Sequence, residues 1–186
     1  RKEIAVKDFG LFQTANAKMK SVLETAQSIS LTPAPVLISG EQGVGKNLVL
    51  QMILEKSRFQ KTIHRCGAFH RLQEAIKSGD AVVIEDLDEM NLLQQAEISE
   101  KMDSLKAQGI QVRWFATSTV NPAELAKKNL LRRDLFYRLS VIHLQVPSLR
   151  ERPEDILVLS QFFVQVFSLM KNKAPYQITP EAQMRL

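Results

Sequence analysis

Val36-Leu37-Ile38-Ser39-Gly40-Glu41-Gln42-Gly43-Val44-Gly45-Lys46-Asn47 is the stretch on which the reading of the chain turns. Its apolar start, bounded by Pro35 and Gly40, reads as a short buried strand. The residues after Lys46, with Val49, Leu50, Met52, Ile53 and Leu54, have helical density. Between strand and helix lies the spacing of a Walker A phosphate loop, Gly40 through Gly45 and Lys46. Successive backbone N–H groups of Gly40, Glu41, Gly43, Val44 and Gly45 would curl around phosphate oxygens, the helix start adds positive potential, and Lys46 reaches the terminal phosphates. ATP or ADP is the cofactor expected there; the plain alternative is a glycine turn. The residue after the lysine is normally Ser or Thr, whose hydroxyl binds magnesium. Asn47 offers only a neutral amide, so magnesium is expected to be held less well.

Outward from this loop, helix and strand signals alternate. Thr14 to Ser28 has helical spacing of Ala17, Met19, Val22, Leu23 and Ala26. Ala81-Val82-Val83-Ile84 reads as a buried strand, Leu92 to Leu105 as a helix, Val112 to Ala116 and Val141 to Val146 as further strands. The alternation predicts an α/β fold, a parallel sheet covered by helices. From Pro147 the pattern is helical, with Ile156 to Met170 as one helix and Thr179-Pro180-Glu181 opening another. The expected division is therefore an α/β nucleotide-binding subdomain over 1–146 and part of a helical lid over 147–186.

Glu85 and Asp86 end the Ala81 to Ile84 strand, where a Walker B motif has an Asp for magnesium followed by a Glu that orients the attacking water. Here the order is reversed. The two side chains differ in reach by one methylene, and a displacement of about 1 Å in an active site costs about a hundredfold in rate. Nucleotide binding would survive the swap better than hydrolysis. The simpler reading makes Glu85 and Asp86, with Asp88 and Glu89, solvated acids in a turn.

Composition sets bounds without choosing among functions. The 186 residues (21.1 kDa) are 45% hydrophobic and 24% charged, globular averages that exclude disorder, collagen and coiled coil. The separate apolar runs fall short of the roughly 20 residues that cross a bilayer, no signal-peptide pattern opens the chain, and no membrane partner is expected. One cysteine, Cys66, cannot form an internal disulfide, which fits a cytoplasmic setting. The net charge of +5 suits nucleotide phosphates, nucleic acid, or nothing in particular. Arg1 opens without a methionine and Leu186 closes within a helix-like pattern, which predicts a piece of a longer protein.

Four segments in order carry a family resemblance over nearly the whole chain: Pro35 to Glu41; Val112-Arg113-Trp114-Phe115-Ala116-Thr117-Ser118-Thr119; Arg132-Arg133-Asp134-Leu135-Phe136-Tyr137-Arg138-Leu139-Ser140-Val141; and Pro147-Ser148-Leu149-Arg150-Glu151-Arg152-Pro153-Glu154-Asp155-Ile156. They resemble the central AAA+ domain of bacterial enhancer-binding proteins, the sigma-54-type transcription activators. The resemblance implies ATP at Lys46 and the loop glycines, and magnesium and catalytic positions at Glu85 and Asp86. It implies a sensor I position at Thr119, where the family usually has Asn. Arg132 and Arg138 fall on the arginines that reach a neighbouring subunit's nucleotide, which makes a homo-oligomer, from dimer to ring, the expected partner; read without the resemblance, they belong to a solvated basic face. Leu11 and Phe12 match the segment near the adenine. DNA would be bound through a domain outside this chain, and RNA polymerase is the further partner implied.

The chain also departs from that family. Its activators insert a loop, Gly-Ala-Phe-Thr-Gly-Ala, before the Walker B strand, and the stretch from Lys46 to Glu85 is too short to hold it. Gly67-Ala68-Phe69 stands directly after Cys66, where the preceding strand should end, and is read as coincidence. A second insertion, before the sensor I strand, is shortened around Gln108-Gly109. Together with Asn47, the reversed acids and Thr119, these departures predict a module that binds nucleotide and assembles, with weak or absent hydrolysis and no sigma-54 activation. A working ATPase with atypical magnesium ligands, a nucleotide-free scaffold and a signalling-dinucleotide site are the alternatives.

Overall fold

The computed structural model describes residues 14–72, 75–171, 173–174 and 176–183. In chain order the elements are α1 (Ala17–Ser28), β1 (Val36–Ser39), α2 (Lys46–Lys56), β2 (Ile63–Cys66), β3 (Ala81–Ile84), α3 (Leu92–Ala107), β4 (Arg113–Ser118), α4 (Pro122–Lys127), α5 (Arg133–Leu139), β5 (Ile142–Gln145), α6 (Pro153–Met170) and α7 (Pro180–Gln183). The strands form one parallel sheet in the order β2-β3-β4-β1-β5. Parallel neighbours require crossovers: α2 lies between β1 and β2, α3 between β3 and β4, and α4 and α5 between β4 and β5, whereas the β2–β3 connection holds no helix among the described residues. Every strand therefore ends on the same edge of the sheet. That edge receives Gly40, Glu85, Asp86 and Thr119, the segments singled out above.

Burial follows strand position. β1, β3 and β4 are buried along their whole length, as inner strands covered on both faces should be, whereas β2 alternates exposed and buried at the sheet's rim. The core joins Leu37, Val82, Ile84 and Ala116 of the sheet to Ile98 and Leu105 of α3 and Leu135 and Leu139 of α5. Val112 lies just outside β4, which instead runs to Ser118. The short helices α4 and α5 carry too few turns to show a period. Asn121 caps α4 by accepting from the Ala123 N–H (3.0 Å), with Pro122 at the first helical position.

Two buried polar groups brace the opposite edge of the sheet. Arg113, fully buried at the start of β4, donates to Ser30 O (2.6 Å), Ile29 O (2.8 Å), Ala34 O (3.3 Å) and Ser57 Oγ (3.1 Å), and lies 4.8 Å from the Phe115 ring centroid. Burial lowers its pKa to about 10, still protonated at neutral pH. His64 Nε2 lies 2.9 Å from Asp80 Oδ2, both side chains buried. Burial pushes the Asp80 carboxyl up, but the bonds from His64 and the Lys77 N–H outweigh it and hold the group below the ordinary carboxylate range.

The chain divides into two compact units, Glu24–Val146 and Pro147–Leu186 with the N-terminal stretch to Leu23. The first contains the sheet. In the second, α6 is 18 residues long with mean hydropathy 1.2, which on length and composition alone would suffice to cross a membrane, unlike the shorter runs read from the sequence. Its first turn is polar. Asp155 is buried, accepts from Thr14 Oγ1 (2.6 Å) and Ala15 N–H (3.0 Å), and pairs with Arg152 at 3.8 Å, commitments of a helix seated on its own chain.

Replacing Arg113 with Met keeps the apolar stem but orphans the Ile29 and Ser30 carbonyls; a loss of about 3 kcal/mol is expected in denaturant unfolding. Asp80, with its lowered pKa, contributes stability that is present above the unfolded-state value near 4 and is lost as pH falls through the folded value. An Asp80→Asn variant should therefore be less stable at neutral pH and should lose less stability than the parent on acidification below pH 4.

Candidate nucleotide site

The loop between β1 and α2 is fixed by two glycines that no other residue could replace without strain. A Cβ on Gly40 would stand 2.6 Å from the Val146 carbonyl oxygen, and Gly45 precedes α2 at φ +103°. No side chain caps α2, so its first amides are left to a ligand at the positive end of the helix. Lys46 is almost wholly buried and donates to Gly40 O (2.8 Å) and Glu41 O (3.1 Å), which seats its ammonium inside the loop.

A cavity of about 680 Å³ opens over this loop. Glu41, Gly43, Gly45, Lys46 and Asn47 line one side; Glu85, Asp86 and Thr119 line the other. Gly40 contributes its carbonyl to Lys46, and Val44 is buried beneath the loop. Leu11 and Phe12 lie outside the described residues. The cavity also holds Gln42, Leu48 and Thr117, to which the motifs gave no role, and Glu89, which the sequence placed only among the turn acids. Thr117 is signalled only by its place at the sheet edge: it is paired with Ile38 of β1, and its Oγ1 accepts from the Asp86 N–H (3.0 Å).

The acids differ sharply in what they touch. Asp86 sits at φ 46°, ψ 60°, a left-handed conformation that costs a non-glycine residue about 1 kcal/mol or more, and among the described residues nothing donates to its carboxylate. Glu85 forms a close ion pair with Arg65, projecting from the neighbouring β2. Its charge, after burial itself, pushes the Cys66 thiol up to about 12, so that thiol stays protonated. Thr119 is committed as well: its hydroxyl and its N–H (2.9 Å) both donate to Asp88. Burial raises the Asp88 pKa, but these bonds prevail and hold it below the usual carboxylate range.

Arg132 and Arg138 do not line this cavity. Arg132 makes a two-pronged contact with Asp134 (3.1 Å for both bonds), and Arg138 donates to Asp103 Oδ1 (2.7 Å) and Ser99 O (3.3 Å). Both lie at α5, which is positioned by Gln95 of α3 accepting from the Arg132 N–H (2.9 Å) and by Leu135 and Leu139 in the core.

A strand, a glycine loop closed by a buried lysine, and acids at the end of a sheet strand two places away define a P-loop AAA+ NTPase domain. Residues 14–149 match the sigma-54 interaction domain, and the chain belongs to that family. It is 30% identical to the regulatory protein AtoC of Escherichia coli over 96% of the chain and 46% of AtoC, and 28% identical to the transcriptional regulatory protein FlbD of Caulobacter vibrioides over 90% of the chain and 44% of FlbD. The chain thus spans less than half of these relatives. The match to AtoC runs over 213 residues, more than the 186 of this chain, so AtoC has residues where this chain has none. Among solved structures, NtrX from Brucella abortus in complex with ATP superposes with a TM-score of 0.79 at 25% identity, covering 94% of this chain and 47% of NtrX.

Replacing Thr119 with Val removes one of the two donors that Thr119 supplies to Asp88. The Asp88 carboxyl should then titrate at higher pH, which a carbon-detected NMR titration would read directly.

Proposed function

We propose that this chain is the nucleotide-binding oligomerisation module of a bacterial transcription regulator, with weak or absent ATP hydrolysis and without sigma-54 activation. The observation that carries the nucleotide reading is Lys46, buried and aimed into a glycine loop at the start of α2. The likeness to NtrX in complex with ATP supports it. The division into a nucleotide-binding part up to residue 146 and a lid from residue 147 belongs to the same reading.

Weak hydrolysis rests on how the site's groups are already engaged. Magnesium, when bound with nucleotide, neutralises phosphate charge and needs oxygen donors. Asp86 fits that need, with its carboxylate facing the cavity, while Asn47 brings an amide in place of a hydroxyl. Glu85 is drawn to Arg65 and Thr119 to Asp88, so neither is free to orient a water without giving up a charged or hydrogen-bonded partner. Arg132 and Arg138 would reach a neighbouring copy's phosphates only by leaving Asp134 and Asp103. The extra residues of AtoC support the loss of the insertions through which the family's activators meet the polymerase. DNA contact would come from a part of the protein outside this chain.

Asp86 favours a second reading, a working ATPase, because its carboxylate remains available to a metal. Titration calorimetry with ATP and ADP, followed by phosphate release with magnesium, separates the two. The module should bind nucleotide with affinity lowered at least about tenfold in Lys46→Ala, and release phosphate at or near the background of that variant. Turnover well above that background, abolished by Lys46→Ala, would establish the ATPase; no binding at all would overturn both.

A further inference from the structure

A second concavity, of about 730 Å³, lies at the sheet edge opposite the phosphate loop, where the Gly109 to Val112 connection enters β4. Its floor and walls are apolar: Phe59, Met102, Ile110, Val112 and Trp114. Its charged members are Arg58, Lys106, Arg138 and Asp103. Asp103 is the one acid among them and is already paired with Arg138.

That leaves two cations. Among the described residues neither the Arg58 guanidinium nor the Lys106 ammonium makes a hydrogen bond or ion pair; the Arg58 guanidinium lies 5.4 Å from the Phe59 ring centroid, against the apolar wall. A volume of this size falls within the range of small-molecule sites, which combine apolar walls with a few polar groups that fix orientation. Both cations are exposed at the groove's mouth, where a neutral apolar ligand would gain nothing from them. A purely inorganic anion would leave the aromatic wall unused. The complement of the groove is an anionic head on an apolar body. A guanidinium fork suits a carboxylate in particular, because two parallel N–H groups match its two oxygens.

We propose that this groove binds a small organic carboxylate with an aromatic or branched apolar body, its head held by Arg58 and Lys106 and its body against Phe59 and Trp114. The site is separate from the phosphate loop, so its occupancy and nucleotide binding can be measured independently. It also adjoins Arg138 on α5, through which a bound carboxylate would act on the Arg138–Asp103 pair.

Trp114 is the chain's single tryptophan and reports directly on the groove. Its emission should change saturably on titration with 3-phenylpropionate, and calorimetry should give an affinity about tenfold higher than for the neutral 3-phenylpropionamide. In an Arg58→Ala/Lys106→Ala double variant, with an unchanged melting curve and unchanged ATP binding, that preference should vanish. A smaller benzoate and benzamide pair, run in parallel, guards against a poor fit of the first probe. The proposal is overturned if neither carboxylate binds, if carboxylate and amide bind equally, or if the double variant keeps the preference. It is equally overturned if Trp114 emission follows protein concentration without added carboxylate, which would assign the groove to contact between copies.

Discussion

The buried guanidinium of Arg113 fixes where β4 begins, and the nucleotide site depends on where β4 ends. Four oxygens, from Ile29, Ser30, Ala34 and Ser57, surround it with no carboxylate among them. Backbone carbonyls at the end of α1 and the turn after it carry partial negative charge, which suits a cation without the penalty of burying a counter-ion. Because the guanidinium has a fixed fork, it holds the turn after α1, the entry to β1 and the residue after α2 to one strand at once. A slip of β4 by one residue would reverse its faces, removing Thr117 from beneath Asp86 and Thr119 from Asp88. The anchor at one edge of the sheet therefore sets the chemistry at the other.

At that second edge, the acids and hydroxyls are already matched to one another. Arg65 meets Glu85 and Thr119 meets Asp88, while Thr117 supports the Asp86 backbone. Asp86 faces the cavity with a carboxylate to which no described residue donates, held in a left-handed conformation that the surrounding strands must sustain.

The phosphate loop was legible from sequence because its chemistry is local: glycines, lysine and helix start lie within eight consecutive residues, and the backbone does the binding. The parallel sheet was legible for a similar reason, since buried inner strands are continuous apolar runs. Arg65, Asp88 and Thr117 were not legible. Arg65 and Glu85 meet only because β2 and β3 lie side by side, and Asp88 and Thr119 only because β3 and β4 do. Strand order decides such pairs, and no motif encodes strand order. The alternation of β2 did carry a trace of it: exposed Arg65 between buried His64 and Cys66 is placed at a rim, next to whatever the adjacent strand presents. The helices α4 and α5 escaped periodicity through shortness, although Asn121-Pro122 is a helix start in its own right.

The same distinction bears on Arg132 and Arg138. Their contacts with Asp134 and Asp103 are between exposed side chains, and exposed pairs hold their partners weakly because water screens the attraction and two flexible chains must be ordered. A phosphate brings more charge and more acceptor oxygens than a single carboxylate, and in an interface closed to water each contact strengthens. The intramolecular pairs are therefore too weak to bar these arginines from a neighbouring copy's nucleotide. What they do provide is a resting position, Arg132 against Asp134 of α5 and Arg138 against Asp103 and Ser99 of α3. The Glu85–Arg65 pair is exposed to the same degree and is screened in the same way. All three pairs set resting positions for exposed side chains, and in the module proposed above each is a small barrier, alike for assembly through the arginines and for hydrolysis through Glu85.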